Sequence, residues 1–182
     1  TFQAISYVID IYRNQISPSR NIINFALYIS FFPQLVAGPI ERFKNLMPQI
    51  EQARIVSLDQ FKAGLFYILW GYYLKVVIAD NCAVIANCVF DSPEYYTGFS
   101  LFLGVFAFSL QIYGDFGGYS FIALGTSKLF GINLMINFKR PYFVTNPREF
   151  WSRWHISLSN WLKHYLYIPL GGNRKGNLRM HI

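Results

Sequence analysis

Four apolar stretches organise the chain. The first, Asn21–Ile40 (NIINFALYISFFPQLVAGPI), carries no charge and has the roughly 20 residues that a helix needs to cross a bilayer. Pro33 and the Gly38-Pro39 pair predict a kink or a stop within it, so a spanning and a re-entrant segment both remain open. The second, Gly64–Ala79, holds one charge, Lys75, near its end, where the long stem can snorkel. Ser57, with Gln60 three residues on, predicts the start of the helix leading into it. The third, Tyr95–Ser127, holds one charge, Asp115. As a single straight helix it would run about 50 Å, well past the roughly 30 Å hydrocarbon core. Gly114, Gly117 and Gly118 predict where it breaks, with a spanning helix up to Tyr113 and a bent or re-entrant piece beyond.

The fourth stretch, 146–170, is amphipathic. Asn146 is a good N-cap, Pro147 suits the first helical position, and Glu149 lies three residues after the cap. At about 100° per residue, Phe150, Trp151, Trp154, Leu158, Trp161, Leu162, Tyr165 and Leu166 fall within one apolar arc. Ser152, Arg153, Ser157, Ser159, Asn160, Lys163 and His164 occupy the other side. Pro169 and Gly171-Gly172 predict its end. His155 falls inside the apolar arc, beside Trp151, Leu158 and Leu162; His164 falls among the polar residues, as a solvated side chain would. A hydrogen-bonded core histidine and a proton acceptor both fit the place of His155. An ionisable group on a buried face of a membrane protein is a functional candidate, and a neutral imidazole can take a proton near pH 7.

Charge turns these stretches into a topology. The 182 residues carry 16 Lys+Arg against 9 Asp+Glu, a net +7. Eight of the basic residues and only one acid, Glu149, lie from Lys139 onward, so the rest of the chain is neutral. Hydrophobic residues make up 53% and charged residues 14%, against about 25% charged in soluble domains. That excludes disorder, and it argues for a bilayer rather than nucleic acid as the partner of the basic end. Arg42, Lys44, Arg54 and Lys62 precede the second stretch, no Lys or Arg occurs from Val76 to Ser127, and Lys128 opens the basic end. Positive-inside logic puts 41–62 and 128 onward in the cytoplasm and the loop around Asp91 outside. Arg13 and Arg20 fit this only if Asn21–Ile40 does not span. Cys82 and Cys88, six apart in an apolar run, imply neither a disulfide framework nor a metal site. The first residue is not Met and the last follow directly on a basic loop, so a piece of a longer protein is expected. The fold class is therefore all-α: a multi-pass membrane helical bundle with broken or re-entrant helices and an amphipathic helix carrying His155.

FWSRWHISLSNWLKHYLYIPLGGNRKG, Phe150–Gly176, resembles the signature of membrane-bound O-acyltransferases, in the branch similar to alginate O-acetyltransferases. FFPQLVAGPIERFKNLMPQI (Phe31–Ile50) and SLQIYGDFGGYSFIALG (Ser109–Gly125) resemble further blocks of that family in the same order, and SYVIDIYR (Ser6–Arg13) fits the segment upstream. The resemblance implies one membrane-bound O-acyltransferase domain of which 1–182 is part. It also implies a multi-pass enzyme of the bacterial inner membrane, moving an acetyl or acyl group from a cytoplasmic thioester toward a hydroxyl of an exported polysaccharide. Periplasmic acetyltransferase partner proteins would assist. No bound cofactor is implied; acetyl-CoA, another acyl-CoA or an acyl-carrier thioester is the co-substrate.

His155 corresponds to the histidine of the family's RWHIS block. The family's other histidine, in a Trp-His-Gly context, lies downstream of that block; His181 lacks this context and does not take its role. Gly117 and Phe121 depart from the family's Asp-Phe-Ser-Gly-Tyr-Ser-Asp pattern, while Asp115 keeps its first Asp, beside Gln111 and Tyr119. Asp115 is either a tunnel-lining polar group or a cap on the element that restarts after the glycines. Acyl transfer needs a base, donors for the developing oxyanion and a dry channel. His155 is a candidate for the base or for assisting the family's downstream histidine. Asn173 is a candidate oxyanion or donor-binding group. Arg148, Arg153, Arg174 and Lys175 suit a phosphate-bearing donor, though simple cytoplasmic anchoring also accounts for their charge. Gln111, Trp151 and Trp154 are candidate tunnel residues. GGNRKG is not a phosphate-binding P-loop, because its spacing is wrong and no Ser or Thr follows the Lys. A transporter or export subunit, a non-catalytic scaffold, and acyl or D-alanyl transfer to teichoic acid or lipid are the competing functions.

Overall fold

The computed structural model describes residues 2–172, which are helical with no strand among them. The chain divides into two compact units, one of residues 36–38 and 55–133 and the other of 2–35, 39–54 and 134–172.

The apolar unit is a helical hairpin. α4 (Leu58–Tyr72) starts where the sequence predicts, with Ser57 Oγ accepting the backbone N–H of Gln60 at 3.1 Å. It continues through a π-helical stretch, Tyr73–Ala79, into α5 (Asp80–Phe90), so Leu58–Phe90 is a single 33-residue helix rather than one ending near Ala79. A short 3₁₀ turn, Pro93–Tyr95, leads to α6, Phe99–Leu129. Both long helices are long and apolar enough to cross a membrane. At 31 residues, α6 runs about 46 Å and would tilt or project beyond a core of about 30 Å.

The predicted break at Gly114, Gly117 and Gly118 does not occur; α6 is continuous. These glycines serve packing instead of bending. A Cβ on Gly71 would lie 2.5 Å from the carbonyl oxygen of Gly118, and one on Gly125 would lie 2.5 Å from that of Gly64. The pairs Gly64/Gly125 and Gly71/Gly118 step seven residues along each helix in opposite directions, so α4 and α6 are antiparallel and touch backbone to backbone. Gly114 continues the seam against Leu74 and Ala79. Apolar helices in lipid gain their contact from such small residues, because lipid tails are as apolar as leucine. The hairpin places Lys62 and Lys128 at one end and Asp91 and Glu94 at the other.

The second unit collects shorter helices: α1 (Phe2–Tyr12), α2 (Ile22–Ser30), α3 (Phe43–Glu51), α7 (Pro147–Arg153) and α8 (Ile156–Leu162). α2 begins at an Asn21 cap that accepts from Ile23 and Asn24. It ends before a 3₁₀ turn, Phe32–Gln34, that contains Pro33. At nine residues α2 is about 14 Å long, too short to cross the bilayer alone. The stretch Asn21–Ile40 is therefore not a spanning helix. Tyr7, Phe25, Tyr28 and Phe43 pack ring against ring, and Leu46 and Met47 of α3 are buried in the same unit. The Tyr28 hydroxyl donates to the Glu41 carbonyl at 3.1 Å, so the one polar atom of this fully buried ring is satisfied.

Candidate active site

His155 stands at a break in the helix. α7 forms as the sequence predicts: Asn146 Oδ1 accepts Glu149 N–H at 2.9 Å, and Pro147 takes the first position. The single amphipathic helix reaching Leu170 does not form. α7 stops at Arg153, Trp154 is extended, and His155 adopts a left-handed backbone (φ 44°, ψ 55°) before α8 starts at Ile156. The continuous apolar arc is therefore corrected, because α8 is re-phased against α7. The cause lies in the neighbouring segment. Lys139 N–H donates to the Arg153 carbonyl at 3.0 Å, and Ile156 N–H donates to the Asn137 carbonyl at 2.9 Å. Ser159 Oγ donates to the Trp151 carbonyl at 3.2 Å. These bonds replace the ones that a continuous helix would make. A left-handed non-glycine residue costs about 1–3 kcal/mol and persists only where its surroundings impose it; such residues cluster at functional sites.

His155 is half-buried, and burial holds its imidazole below the ordinary 6.5, so the ring favours the neutral form. Next to it, Trp154 packs edge-on to Phe138 at 4.9 Å and stacks on Phe150 at 5.5 Å. Trp151 touches Phe150 but is 60% exposed. Arg153 pairs with Glu149 and donates to the Phe143 carbonyl. It also lines a cavity of about 480 Å³ with Lys139, Arg140 and Ser152. Lys139 and Arg140 were not among the residues expected there. Arg148, also expected to serve the donor, is exposed and outside that lining. Asn173, Arg174 and Lys175, like His181, lie outside the described residues.

The same unit buries a polar network that the motif blocks do not announce. Asp10 is 1% exposed, and the Tyr165 hydroxyl lies 2.7 and 2.8 Å from its two carboxylate oxygens. Burial and the Asp10 carboxyl push the Tyr165 phenol up to about 12. The guanidiniums of Arg42 and Arg13 lie over the Tyr165 ring, 5.0 and 5.7 Å from its centroid. Glu41 is 3% exposed, accepts the N–H of Met135, and is raised by burial. An acid in an apolar helix, Asp10 in FQAISYVIDIY, was the available signal. Its partner, 155 residues away, leaves no mark in a single sequence.

Asp115 and Gln111 lie in the hairpin unit. Asp115 is inside α6, so it does not cap a restarting element. It pairs with Lys75 Nζ at 2.6 Å, and Lys75 also pairs with Asp80 at 2.7 Å. The sequence suggested that Lys75 snorkels; instead it bridges two carboxylates. It stands on the π-helical stretch midway along Leu58–Phe90, and Asp115 is midway along α6. Gln111 Oε1 is buried and has no hydrogen-bond partner among the described residues.

The described part is thus an all-helical protein with two membrane-length helices and a strained, half-buried histidine. Residues 13–180 match the model of the membrane-bound O-acyltransferase family, and the chain belongs to that family. It is 46% identical over 180 residues to the probable alginate O-acetylase AlgI of Pseudomonas putida, covering 99% of this chain and 37% of that protein. It is 38% identical to the peptidoglycan O-acetyltransferase of Helicobacter pylori, covering 96% of this chain and 38% of the relative. With the teichoic acid D-alanyltransferase of Streptococcus thermophilus the identity is 31%, over 93% and 42%. The chain therefore spans roughly two-fifths of the length of these relatives.

Proposed function

We propose that this chain is the part of a multi-pass bacterial inner-membrane O-acyltransferase that carries His155, and that the enzyme acetylates an exported, alginate-like polysaccharide. The observation that carries the reading is the left-handed, half-buried His155 in a chain of this family. The polysaccharide acceptor is favoured over teichoic acid by the higher identity to alginate O-acetylases, 46% against 31%. Family membership likewise favours acyl transfer over transport or a passive scaffold.

In this reading the acceptor hydroxyl oxygen attacks the carbonyl carbon of an acetyl-CoA, acyl-CoA or acyl-carrier thioester. The C–O bond forms, the C–S bond breaks, and the thiolate leaves. The hydroxyl proton passes through the His155 imidazole, acting alone or with a second histidine of the complete protein, to the leaving sulfur. A neutral imidazole suits that step. Arg153 with Lys139 and Arg140 supplies cations for a donor phosphate, and Arg148, Arg174 and Lys175 are further candidates by their charge. Trp151 and Trp154 are candidate tunnel residues of the unit that holds His155 and Gln111 and Asp115 candidates of the hairpin unit, with Asn173 as a candidate donor-binding or oxyanion group. The basic residues at 41–62 and from 128 onward face the cytoplasm. A non-spanning α2 keeps Arg13 and Arg20 on that side too. Periplasmic acetyltransferase partners complete delivery to the polymer.

Acceptor-dependent release of free thiol from acetyl-CoA or an acetylated carrier, measured on the full-length protein in membranes, tests this. Stoichiometric thiol release and polymer acetylation are expected. Polymer movement without thioester consumption would overturn it in favour of transport.

A further inference from the structure

In the unit that holds His155, a cavity of about 350 Å³ is lined by Arg42, Lys44, Asn45, Ser157, Asn160 and His164, with Ile40, Met135 and Trp161 as its apolar part. It shares no lining residue with the Lys139–Arg140–Arg153 cavity. Its volume lies in the range of about 300–1,000 Å³ typical of small-ligand sites. No Asp or Glu lines it, and no ion pair among the described residues involves Arg42 or Lys44. The nearest acid in sequence, Glu41, is buried against the Met135 N–H.

Three further features point to an anion. The cavity lies at the start of α3, where Arg42 is the N-cap and makes no side-chain capping bond; the Asn45 N–H donates to the Arg42 carbonyl at 3.0 Å, which leaves the N–H groups of Phe43 and Lys44 and the positive end of the helix dipole for a ligand. Ser157 Oγ, in a residue only 2% exposed, has no hydrogen-bond partner among the described residues, although it lines the cavity. A buried hydroxyl without a partner costs free energy unless a ligand or water takes it. Arg42 is held with its guanidinium carbon 5.0 Å from the Tyr165 ring centroid, and its charge is in no ion pair among the described residues.

We propose that this cavity binds a phosphate group, with Arg42 and Lys44 as its cations and Ser157 as its buried hydrogen-bonding group. A phospholipid headgroup and the phosphate of a coenzyme A or phosphopantetheine arm share this chemistry. The site rests on its own residues and stands whether or not His155 performs acyl transfer.

The test uses full-length protein in a neutral maltoside detergent. Inorganic phosphate, coenzyme A and phosphatidylglycerol are each titrated while tryptophan fluorescence is followed, since Trp161 lines the cavity. Saturable binding of at least one probe is expected. Arg42→Gln and Lys44→Gln should each weaken it about tenfold, the usual scale of one charge-assisted bond, and Ser157→Ala by a few-fold. Lys62→Gln, at an exposed residue of the hairpin unit outside both cavities, should leave it unchanged. Binding of coenzyme A but not phosphatidylglycerol identifies a donor phosphate, and the reverse identifies a lipid headgroup. Arg42 also packs on Tyr165, so the exposed Lys44 keeps the test decisive if Arg42→Gln misfolds. Absence of binding by all three probes, or binding that Lys44→Gln leaves intact, would overturn the proposal.

Discussion

The Tyr165 hydroxyl lies 2.7 and 2.8 Å from the two carboxylate oxygens of Asp10, joining α1 to the π-helical turn Lys163–Tyr167 across 155 residues of sequence. The Asp10 side chain is buried, so this bond satisfies a group that water cannot reach. Tyr165→Phe keeps the ring and deletes the bond. It should cost about 1–3 kcal/mol, the usual penalty for a buried acceptor left without its donor. Thermal unfolding in detergent checks this, with Tyr12→Phe as the control, because Tyr12 is 86% exposed. Equal melting temperatures for the two variants would contradict the account.

Lys75 holds two carboxylates, Asp80 and Asp115, and this predicts an asymmetry. Lys75→Met strands two acids midway along membrane-length helices, where an unpaired charge is expensive. Asp115→Asn leaves a neutral Lys75–Asp80 pair. Lys75→Met should therefore sharply reduce the monodisperse, inserted protein recovered by size-exclusion chromatography, while Asp115→Asn should retain most of it. Equal losses would show that Lys75 is not the shared counter-charge of the two acids.

The glycine seam makes a third prediction. Gly71→Ala and Gly118→Ala each drive a Cβ to within 2.7 Å or less of a facing carbonyl oxygen, and backbone cannot step aside as a flexible side chain can. Each should destabilise the hairpin by about 1–3 kcal/mol. Gly117→Ala meets only the Tyr113 ring of its own helix at 3.3 Å, and alanine is the better helix former. It should be close to neutral or slightly stabilising in the same melting assay.

Burial lowers the His155 imidazole below 6.5, which fixes the sign of its pH dependence. The folded protein holds this proton less tightly than the unfolded chain. The stability that neutral His155 contributes is therefore complete above 6.5 and is lost as pH falls toward the lowered value. For catalysis, the free base persists below 6.5. The acid limb of the acyl-transfer rate should fall below pH 6.5, and a limb at or above 6.5 would contradict the environment described for His155.

The sequence made several local features legible because they are local. The Ser57 and Asn146 caps, the Pro33 stop and the apolar character of the segments that form the hairpin follow from residue type and spacing, though not the full length of its helices. The uninterrupted α6 did not follow, because Gly114 and Gly118 read equally as breakers or as contact points until α4 is seen beside them. The break at His155 was also hidden. An ideal helical period ran through Trp154 and His155, and backbone bonds from 137 and 139 override it. Lys75–Asp115 and Asp10–Tyr165 depend on tertiary contacts that no periodicity encodes. For the candidate site, the block around His155 was legible, whereas Lys139 and Arg140 became part of it only through the fold.

The central claim is that His155 performs proton transfer in acylation rather than holding the fold. Its most direct test is polymer acetylation by full-length His155→Ala protein in cells, with membrane insertion and expression level measured on the same samples. Loss of acetylation with insertion and expression unchanged is the expected result. Acetylation at the wild-type level in a correctly inserted His155→Ala protein would contradict it.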